Sequence, residues 1–293
     1  MPPVKIINIG SINIDHVYGV EHFVRPGETL ESGSYRLFCG GKGANQSIAL
    51  ARAGAEVHHA GKIGPEGLWL KEKLQENGVD VSLVKIVDAP TGHAVIQVNS
   101  EGENAIVIHG GANRTFSDEE IEKVMESAEA GDFLLLQNEI NSVEKVLKKA
   151  KGRGVSVVFN PAPMSDAVRH YPLELVDIFI INAVEGEALT GQNDPRMILD
   201  TMQKRYPKSR IVLTLGKKGV LYADEAQRIE TAAIQVKAVD TTGAGDTFIG
   251  YFLAELMKGS DIERCLQRAV KASALCVTRK GAADSIPSQH ELL

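Results

Sequence analysis

The sequence has few cysteines and no long apolar segment. Three cysteines occur in 293 residues, with no Cys-x-x-Cys pair and no histidine at ligand spacing, so neither a disulfide framework nor a zinc site is supported. No run approaches the roughly 18 apolar residues that a membrane helix requires. The first residues lead into a predicted strand without a basic and apolar leader. We therefore expect a cytoplasmic protein with no signal peptide and no membrane partner.

The chain also lacks an excess of positive charge. Its 32 Lys and Arg against 38 Asp and Glu give a net charge of -6, which argues against nucleic acid as a partner. Hydrophobic residues at 43% and charged residues at 24% exclude disorder and a fibrous repeat. Glycine alone is abundant, since 28 of 293 residues is about 9.6% against a usual ~7%. The positions of these glycines carry most of the functional information.

Short apolar runs alternate with amphipathic segments along most of the chain. Ser117 and Glu120 form a predicted capping box for a helix that stops at Gly131, and Asp194-Pro195 begins another helix. This alternation predicts a doubly wound α/β fold with a mostly parallel sheet and ligands beyond the carboxyl ends of its strands. The predicted strands, each apolar enough to be buried on both faces, are residues 5–9, 133–136, 155–159, 178–181 and 211–215.

Two stretches interrupt the alternation. Residues 15–37 show no helical period, and residues 91–108 contain two strand-like runs, 93–99 and 104–108, that form a predicted hairpin. We interpret 15–37 and 91–108 as a small antiparallel sheet inserted twice into the main domain, either a lid over a site or a pair of surface hairpins. The main α/β domain then comprises residues 1–14, 38–90 and 109–293.

A first glycine cluster occupies residues 40–46. Lys42 and Asn45 lie three residues apart, on one face of a helix that starts here. The cluster is not a Walker A loop, because Gly43 follows the lysine, and not a dinucleotide fingerprint, because Gln46 replaces the third glycine. Both a polar-ligand site and a simple helix-start turn remain open.

A second cluster, at residues 240–248, is more specific. Gly243, Ala244 and Gly245 precede an apolar helical pattern, which places free backbone N–H groups at the positive end of a helix dipole. Asp246 in the first turn either caps the helix or acts as a general base. A base beside an anion site is what phosphoryl transfer to a hydroxyl requires.

Across nearly its whole length the sequence resembles the ribokinase branch of the PfkB carbohydrate kinase family. The resemblance depends on several motifs in the family's order and approximate spacing. They are Gly10-Ser11-Ile12-Asn13-Ile14-Asp15, residues 40–45, Glu101-Gly102-Glu103-Asn104, Asn160-Pro161-Ala162-Pro163, Asn182 with Glu185, Thr214-Leu215-Gly216, residues 240–246 and Thr278-Arg279-Lys280-Gly281-Ala282.

The resemblance implies a sugar site, a catalytic base and an anion hole. Asp246 matches the family's base, and the N–H groups of Gly243, Ala244 and Gly245 match its anion hole. Carboxylates and amides suit the hydroxyls of a sugar, because they make paired hydrogen bonds with them. The positions matching the sugar site are Asn13, Asp15, Gly41, Lys42, Asn45, Glu139 and Asp246.

The resemblance also implies ATP, Mg²⁺ and K⁺ as cofactors. Glu185 matches a residue that acts on Mg²⁺ through water. One departure is that residues 265–281 contain neither the Asn nor the His that flanks adenine in relatives, so we leave this segment out of the nucleotide site. The nucleotide positions are Asn182, Thr214, Gly216, Gly219 and Gly245. The monovalent-cation positions are Asp240, Thr242, Cys276, Arg279, Gly281 and Ser285.

The sequence therefore predicts an ATP-dependent kinase for the primary hydroxyl of a pentose, with D-ribose as the expected sugar and D-ribose 5-phosphate as the product. The alternatives are 2-deoxyribose or another furanose, and a sugar or nucleotide sensor without turnover, which Asp246 beside the glycines argues against. A nicotinamide dehydrogenase is excluded by the missing glycine spacing. The resemblance also implies a homodimer formed through the lid.

Overall fold

The computed structural model describes residues 4–292 and contains two β-sheets. The larger sheet has nine strands in the order β13-β12-β11-β10-β9-β8-β1-β4-β5. All its neighbours pair in parallel except β11–β12 and β12–β13. Its strands are β1 Ile6–Ile9, β4 Val57–Ile63, β5 Val84–Ile86, β8 Phe133–Gln137, β9 Ser156–Asn160, β10 Ile178–Asn182, β11 Arg210–Thr214, β12 Val220–Ala223 and β13 Arg228–Thr231.

All five predicted strands are confirmed, and helices cover both faces of the sheet. The helices α1, α2, α7 and α8 pack on one face, and α3 to α6 pack on the other. The doubly wound α/β prediction is thereby confirmed. The helices are α1 Lys42–Arg52, α2 Leu68–Glu76, α3 Asp118–Glu126, α4 Val143–Lys151, α5 Ala183–Thr190, α6 Pro195–Arg205, α7 Ala244–Met257 and α8 Ile262–Cys276.

The predicted helix ends follow local capping chemistry. The capping box of Ser117 and Glu120 is present, and Asp194 caps α6 by accepting from the N–H groups of Arg196 and Met197. The predicted stop of α3 at Gly131 is too late. The helix ends at Glu126 and is followed by its C-cap residue Ser127, whose hydroxyl donates to the carbonyl of Val124 at 2.7 Å and so competes with the next turn.

The smaller sheet contains four strands in the order β3-β2-β6-β7, and we call it the lid sheet. It is built from the two segments that interrupt the α/β alternation. Both hairpins are antiparallel, but the central strands β2 and β6 pair in parallel, because both leave the main domain at the same level, with Asn13 opposite Gly92. The strands are β2 Asn13–Gly19, β3 Ser34–Gly40, β6 Gly92–Val98 and β7 Asn104–His109.

The division into a main domain and a lid remains a prediction, and residues 1–3 and 293 of that division lie outside the described residues. Between residues 4 and 292, no helix has both the length and the apolar character needed to cross a membrane.

Candidate active site

Glycines let α1 begin against the turn that joins the two sheets. Gly41 has a φ of 87°, and a Cβ there would lie 3.0 Å from the Asn13 nitrogen and the Ser11 oxygen. A Cβ on Gly43 would lie 2.5 Å from the Ser11 nitrogen. Only residues without a side chain permit this approach. The first glycine cluster therefore starts a helix, as predicted, and places Lys42 and Asn45 at the edge where the sheets meet.

Asp246 lies in the first turn of α7, after Gly243, which is in the left-handed region with a φ of 75°. The side chain is buried, at 8% exposure. Its oxygens accept hydrogen bonds from two amides of α1: Oδ2 from Asn45 Nδ2 at 3.0 Å and Oδ1 from Gln46 Nε2 at 2.9 Å. The described hydrogen bonds of this carboxylate thus come from α1 and not from the N–H groups of its own helix. The two glycine clusters form one site.

Glu139 follows β8 and holds the start of α1 in place. Its carboxylate accepts from the Lys42 backbone N–H at 2.9 Å and from the hydroxyl of Ser11. Asn13 is fixed from the other side, because Asn113 Nδ2 donates to its Oδ1 at 2.7 Å. The sequence analysis missed Ser11 and Asn113 as supporting residues. The glycine pair directly before Ala112-Asn113 is the signal that points to a special turn there.

The predicted sugar residues surround one ammonium group with several carboxylates. Burial acts to lower the pKa of Lys42, but the surrounding carboxylates, above all that of Asp246, hold this pKa above its ordinary value. The pKa of Asp15 is raised to about 7, mainly by burial and further by the negative charges of Glu139 and Asp246, with Lys42 opposing this effect. The site is therefore rich in hydrogen-bond acceptors and short of positive charge.

The raised pKa of Asp15 predicts a pH-dependent cost to stability. A folded-state pKa of about 7 lies above the ordinary aspartate pKa of 3.8, so the stability that Asp15 contributes in acid is lost as the pH rises through 7. Asn at this position never ionises. We expect Asp15→Asn to stabilise the ligand-free protein increasingly between pH 5 and pH 8, by about 1 to 2 kcal/mol, because Asp15 keeps partial contact with solvent. Urea unfolding at the two pH values measures this; a gain that does not change with pH would contradict it.

A cavity of about 320 Å³ lies at the carboxyl end of β11, against the start of α7. Four predicted nucleotide residues line it: Thr214, Gly216, Gly219 and Gly245. A smaller cavity of about 90 Å³ shares Thr214 and Gly245 with it and continues to Lys42 and Asp246. Asn182, the fifth predicted nucleotide residue, lines only the smaller cavity, together with Glu185. A ligand in the larger cavity can thus extend toward the carboxylate of Asp246.

The helix α8 forms one wall of the larger cavity, although the sequence analysis excludes it. The segment is left out of the nucleotide site in the sequence analysis because it contains no Asn or His. The wall of the cavity is mostly apolar, however, and is formed without either residue type. The polar residue Ser273 also lines the cavity, but its hydroxyl donates to the Ala244 carbonyl at 3.0 Å. Apolar walls of this kind suit a flat ring system. The cavity-lining residues that the sequence analysis missed here are Val270 and Ala274 of α8, Val277 directly after α8, Phe248 of α7, and Ile234 and Val236 in the loop before α7.

Glu185 and Asn182 form a capping box at the start of α5. The Glu185 carboxylate accepts from the backbone and side-chain nitrogens of Asn182, each at 2.9 Å, and is only 6% exposed. Burial raises its pKa. No group of three metal-binding His, Cys, Asp or Glu side chains occurs within residues 4–292. A single carboxylate fits a Mg²⁺ that takes most ligands from phosphate and water.

All six predicted monovalent-cation residues lie on two adjoining segments, residues 240–242 and 276–285. Asp240 Oδ1 accepts from Thr242 and Oδ2 from the Gly281 N–H at 3.0 Å. Burial alone would raise the pKa of Asp240, but these hydrogen bonds lower it. The thiol of Cys276 lies 3.1 Å from the Ser285 hydroxyl. Only the side chain of Arg279 points elsewhere, since it pairs with Glu291, while its N–H donates to the Cys276 carbonyl.

The fold and the site together define a class of protein: an α/β phosphotransferase that carries a nucleotide-sized cavity, a helix N-terminus for an anion and a carboxylate beside a polar acceptor site. The family model described as pfkB family carbohydrate kinase matches residues 4–289. The chain belongs to this family and is an ATP-dependent carbohydrate kinase.

Individual relatives agree with this assignment. The ribokinase of Staphylococcus aureus strain COL is 37% identical over 299 residues, covering 98% of this chain and 98% of the relative. The deoxyribokinase of Salmonella typhi is 33% identical over 96% of this chain and 94% of its own length. The structure of Arabidopsis thaliana ribokinase complexed with ribose and ATP is 32% identical, covers 100% of this chain and 98% of that one, and has a TM-score of 0.87.

Proposed function

We propose that this kinase transfers the γ-phosphoryl group of ATP to the primary hydroxyl of D-ribose, forming D-ribose 5-phosphate and ADP. The observation that carries the proposal is the position of Asp246, where the smaller cavity meets the carboxylates and the ammonium group of the predicted sugar site. Full-length identity to a ribokinase at 37% supports the choice of sugar.

In the proposed reaction the Asp246 carboxylate accepts the proton of the primary hydroxyl. The hydroxyl oxygen forms a bond to the γ-phosphorus as the bond to the β-phosphate oxygen breaks, and ADP leaves. The N–H groups at Gly243, Ala244 and Gly245 stabilise the charge on the transferred group, since one such donor is typically worth ~3 kcal/mol of barrier. Most of the catalysis is therefore positioning and charge stabilisation.

Asn45 supports the sugar site through a buried atom. Its Nδ2 donates to Asp246, but within residues 4–292 its Oδ1 has no hydrogen-bond partner although the residue is only 6% exposed. An unpaired buried acceptor is costly, so a sugar hydroxyl that donates to it relieves the cost on binding. We propose that Asn45 binds the sugar together with Asn13, Asp15, Gly41, Lys42 and Glu139.

ATP is proposed to place its base and ribose in the larger cavity, lined by Thr214, Gly216 and Gly219, and its phosphates toward Gly245 and Asn182. Bound Mg²⁺ would neutralise phosphate charge, with Glu185 acting through water. K⁺ is proposed to bind at Asp240, Thr242, Cys276, Arg279, Gly281 and Ser285, mainly through backbone carbonyls. Dependence on ATP also supports the cytoplasmic location expected from the sequence.

Measuring ADP release with D-ribose, 2-deoxy-D-ribose and hexoses, each with and without K⁺, tests the proposal. We expect D-ribose to have the highest kcat/KM and K⁺ to raise it several-fold. A sugar lacking one hydroxyl leaves site groups unpaired, which sites of this kind reject strongly. Efficient turnover of 2-deoxy-D-ribose instead would favour the deoxyribokinase alternative. Sugar binding without ADP release would favour a sensor.

The lid sheet is also proposed to join two copies of the chain. Its edge strand β7 exposes three consecutive apolar side chains, Ile106 at 50%, Val107 at 71% and Ile108 at 52%. Exposed apolar strands of this length are a common pairing surface. Sedimentation velocity should therefore show a homodimer, and a monomer at all concentrations would contradict this.

A further inference from the structure

Behind Asp246 lies a buried row of side-chain amides that neither cavity reaches except at Asn160. Gln46 Nε2 donates to Asp246 Oδ1 at 2.9 Å, and Gln46 Oε1 accepts from Gln137 Nε2 at 2.7 Å. Gln137 Nε2 also donates to Asn8 Oδ1 at 3.0 Å. The Nδ2 of Asn8 then donates to the Gly43 carbonyl at 2.8 Å, which ties the row to the backbone of α1. We call Asn8, Gln46 and Gln137 the amide network.

The amide network replaces apolar residues in the centre of the protein. Asn8 and Gln46 are 0% exposed and Gln137 is 1% exposed. Asn8 interrupts the isoleucines of β1, and Gln137 ends the leucine run of β8. Burying amides costs free energy that their hydrogen bonds only offset, so apolar residues of similar volume would serve packing alone at least as well. The function of these amides therefore concerns Asp246, the group to which Gln46 donates.

Each amide determines the orientation of the next. Because Gln46 Oε1 accepts from Gln137, the other end of the Gln46 amide must face Asp246 and donate to it. Gln46 Nε2 also donates to Asn160 Oδ1 at 3.3 Å, and Asn160 is held by its own bond to the Ile180 carbonyl. A reversed Gln46 amide would place an oxygen against a carboxylate oxygen. The network excludes this arrangement.

We propose that Gln46 is a positioning residue for the catalytic carboxylate, an inference that rests on the proposed role of Asp246 as the base. Together with Asn45, it holds the plane of the carboxylate from behind, so that the remaining lone pairs face the smaller cavity and the hydroxyl to be deprotonated. Gln46 has no exposed surface with which to contact the sugar. Amides suit this task because they do not titrate and so keep the same orientation at every working pH.

The test is the pH profile of kcat for Gln46→Leu, measured with whichever sugar is turned over best. We expect kcat to fall about 10- to 100-fold, as for a misplaced catalytic group, with the sugar KM changed less than about threefold. A carboxylate that loses a hydrogen-bond donor is less stabilised in its charged form, so the acid limb of the profile should move to higher pH. An unchanged kcat and an unchanged profile would overturn the proposal.

A second variant keeps the volume and shape of the side chain. Gln46→Glu can still donate to Asp246 while the pair shares a proton, but at high pH two carboxylates repel each other. We expect it to recover much of the activity lost in Gln46→Leu at neutral pH and to lose it in alkali. Equal loss in both variants at every pH would indicate a packing role and overturn the proposal.

Ser47→Ala is the matched control. Ser47 is equally buried and accepts from Asn8 Nδ2 at 2.8 Å, but it faces His59 and has no hydrogen bond to Asp246. Ser47→Ala should lower the midpoint of urea unfolding without moving the pH profile of kcat. A displaced profile in this variant would contradict a specific positioning role for Gln46. If the proposal that Asp246 is the base is itself wrong, this is detected separately, because an Asp246→Asn variant would then show full turnover.

Discussion

Replacing Asp246 by asparagine is expected to lower kcat about a thousandfold while sugar still binds. The substitution keeps the size of the side chain but removes its ability to take a proton, and general-base catalysis typically contributes roughly 10²- to 10⁴-fold. Its amide can still pair with groups around it, so the sugar site should stay assembled. Coupled ADP release measures the loss, and calorimetric titration with D-ribose measures binding.

Asp261→Asn supplies the comparison. Asp261 caps α8 by accepting from the Arg264 N–H at 2.8 Å, outside the site, and asparagine caps helices equally well. Its kcat should match that of the wild type. Turnover of Asp246→Asn within a few-fold of the wild type would remove Asp246 from the role of base.

Gly250→Ala should have a large effect on stability for a single added methyl group. α7 crosses α1 at Gly250, where a Cβ would lie 2.7 Å from the Ala49 carbonyl carbon and the Leu50 nitrogen. These are backbone atoms and cannot turn away. Overpacking of this kind costs about 1 to 3 kcal/mol, against a helix propensity that otherwise favours alanine.

The same substitution should impair catalysis from a distance. α1 carries Asn45 and Gln46, which hold Asp246 on α7, so separating the helices lengthens both hydrogen bonds. A displacement of about 1 Å can cost on the order of 10²-fold in rate. We expect kcat to fall at least about tenfold in protein that remains folded.

Urea unfolding measures the loss of stability against Gly245→Ala as the reference, and ADP release measures the loss of kcat against the wild type. Gly245 is in the first turn of the same helix, and a Cβ there meets nothing within 4 Å, so that variant should be as stable as the wild type. Because Gly245 lines both cavities, only its stability serves as the reference. Equal unfolding midpoints for the two variants would contradict the close crossing at Gly250.

Five strands of the main sheet, β1 and β8 to β11, were predictable because they are largely buried on both faces, whereas β4, β5, β12 and β13 were not predicted. A strand such as β10, with Ile178, Phe179, Ile180 and Ile181 all buried, leaves a continuous apolar run that needs no tertiary information. The lid segments were predictable because a helical period is absent from them. The parallel pairing of β2 with β6 was not, since it depends on where two distant segments leave the main domain.

The site was predictable where backbone geometry demands a particular residue type. Gly41 and Gly243 have positive φ values, and the clusters around them stand out in the sequence. The wall formed by α8 was missed because apolar side chains that line a cavity look like ordinary core residues in the sequence. Asn8 and Gln137 were missed because one polar residue in an apolar strand forms no pattern.

The sequence by itself determined the alternation of strands and helices, five strands of the main sheet, the two glycine-led helix starts and the presence of a carboxylate, Asp246, at the second. These features depend on local periodicity and on backbone conformations that few residues adopt. Only the tertiary structure decided that Asn45 donates to Asp246, 201 positions away, and that the amide network lies behind it. Such contacts depend on how α1 and α7 pack across the core, and that packing is specified by no single stretch of the chain.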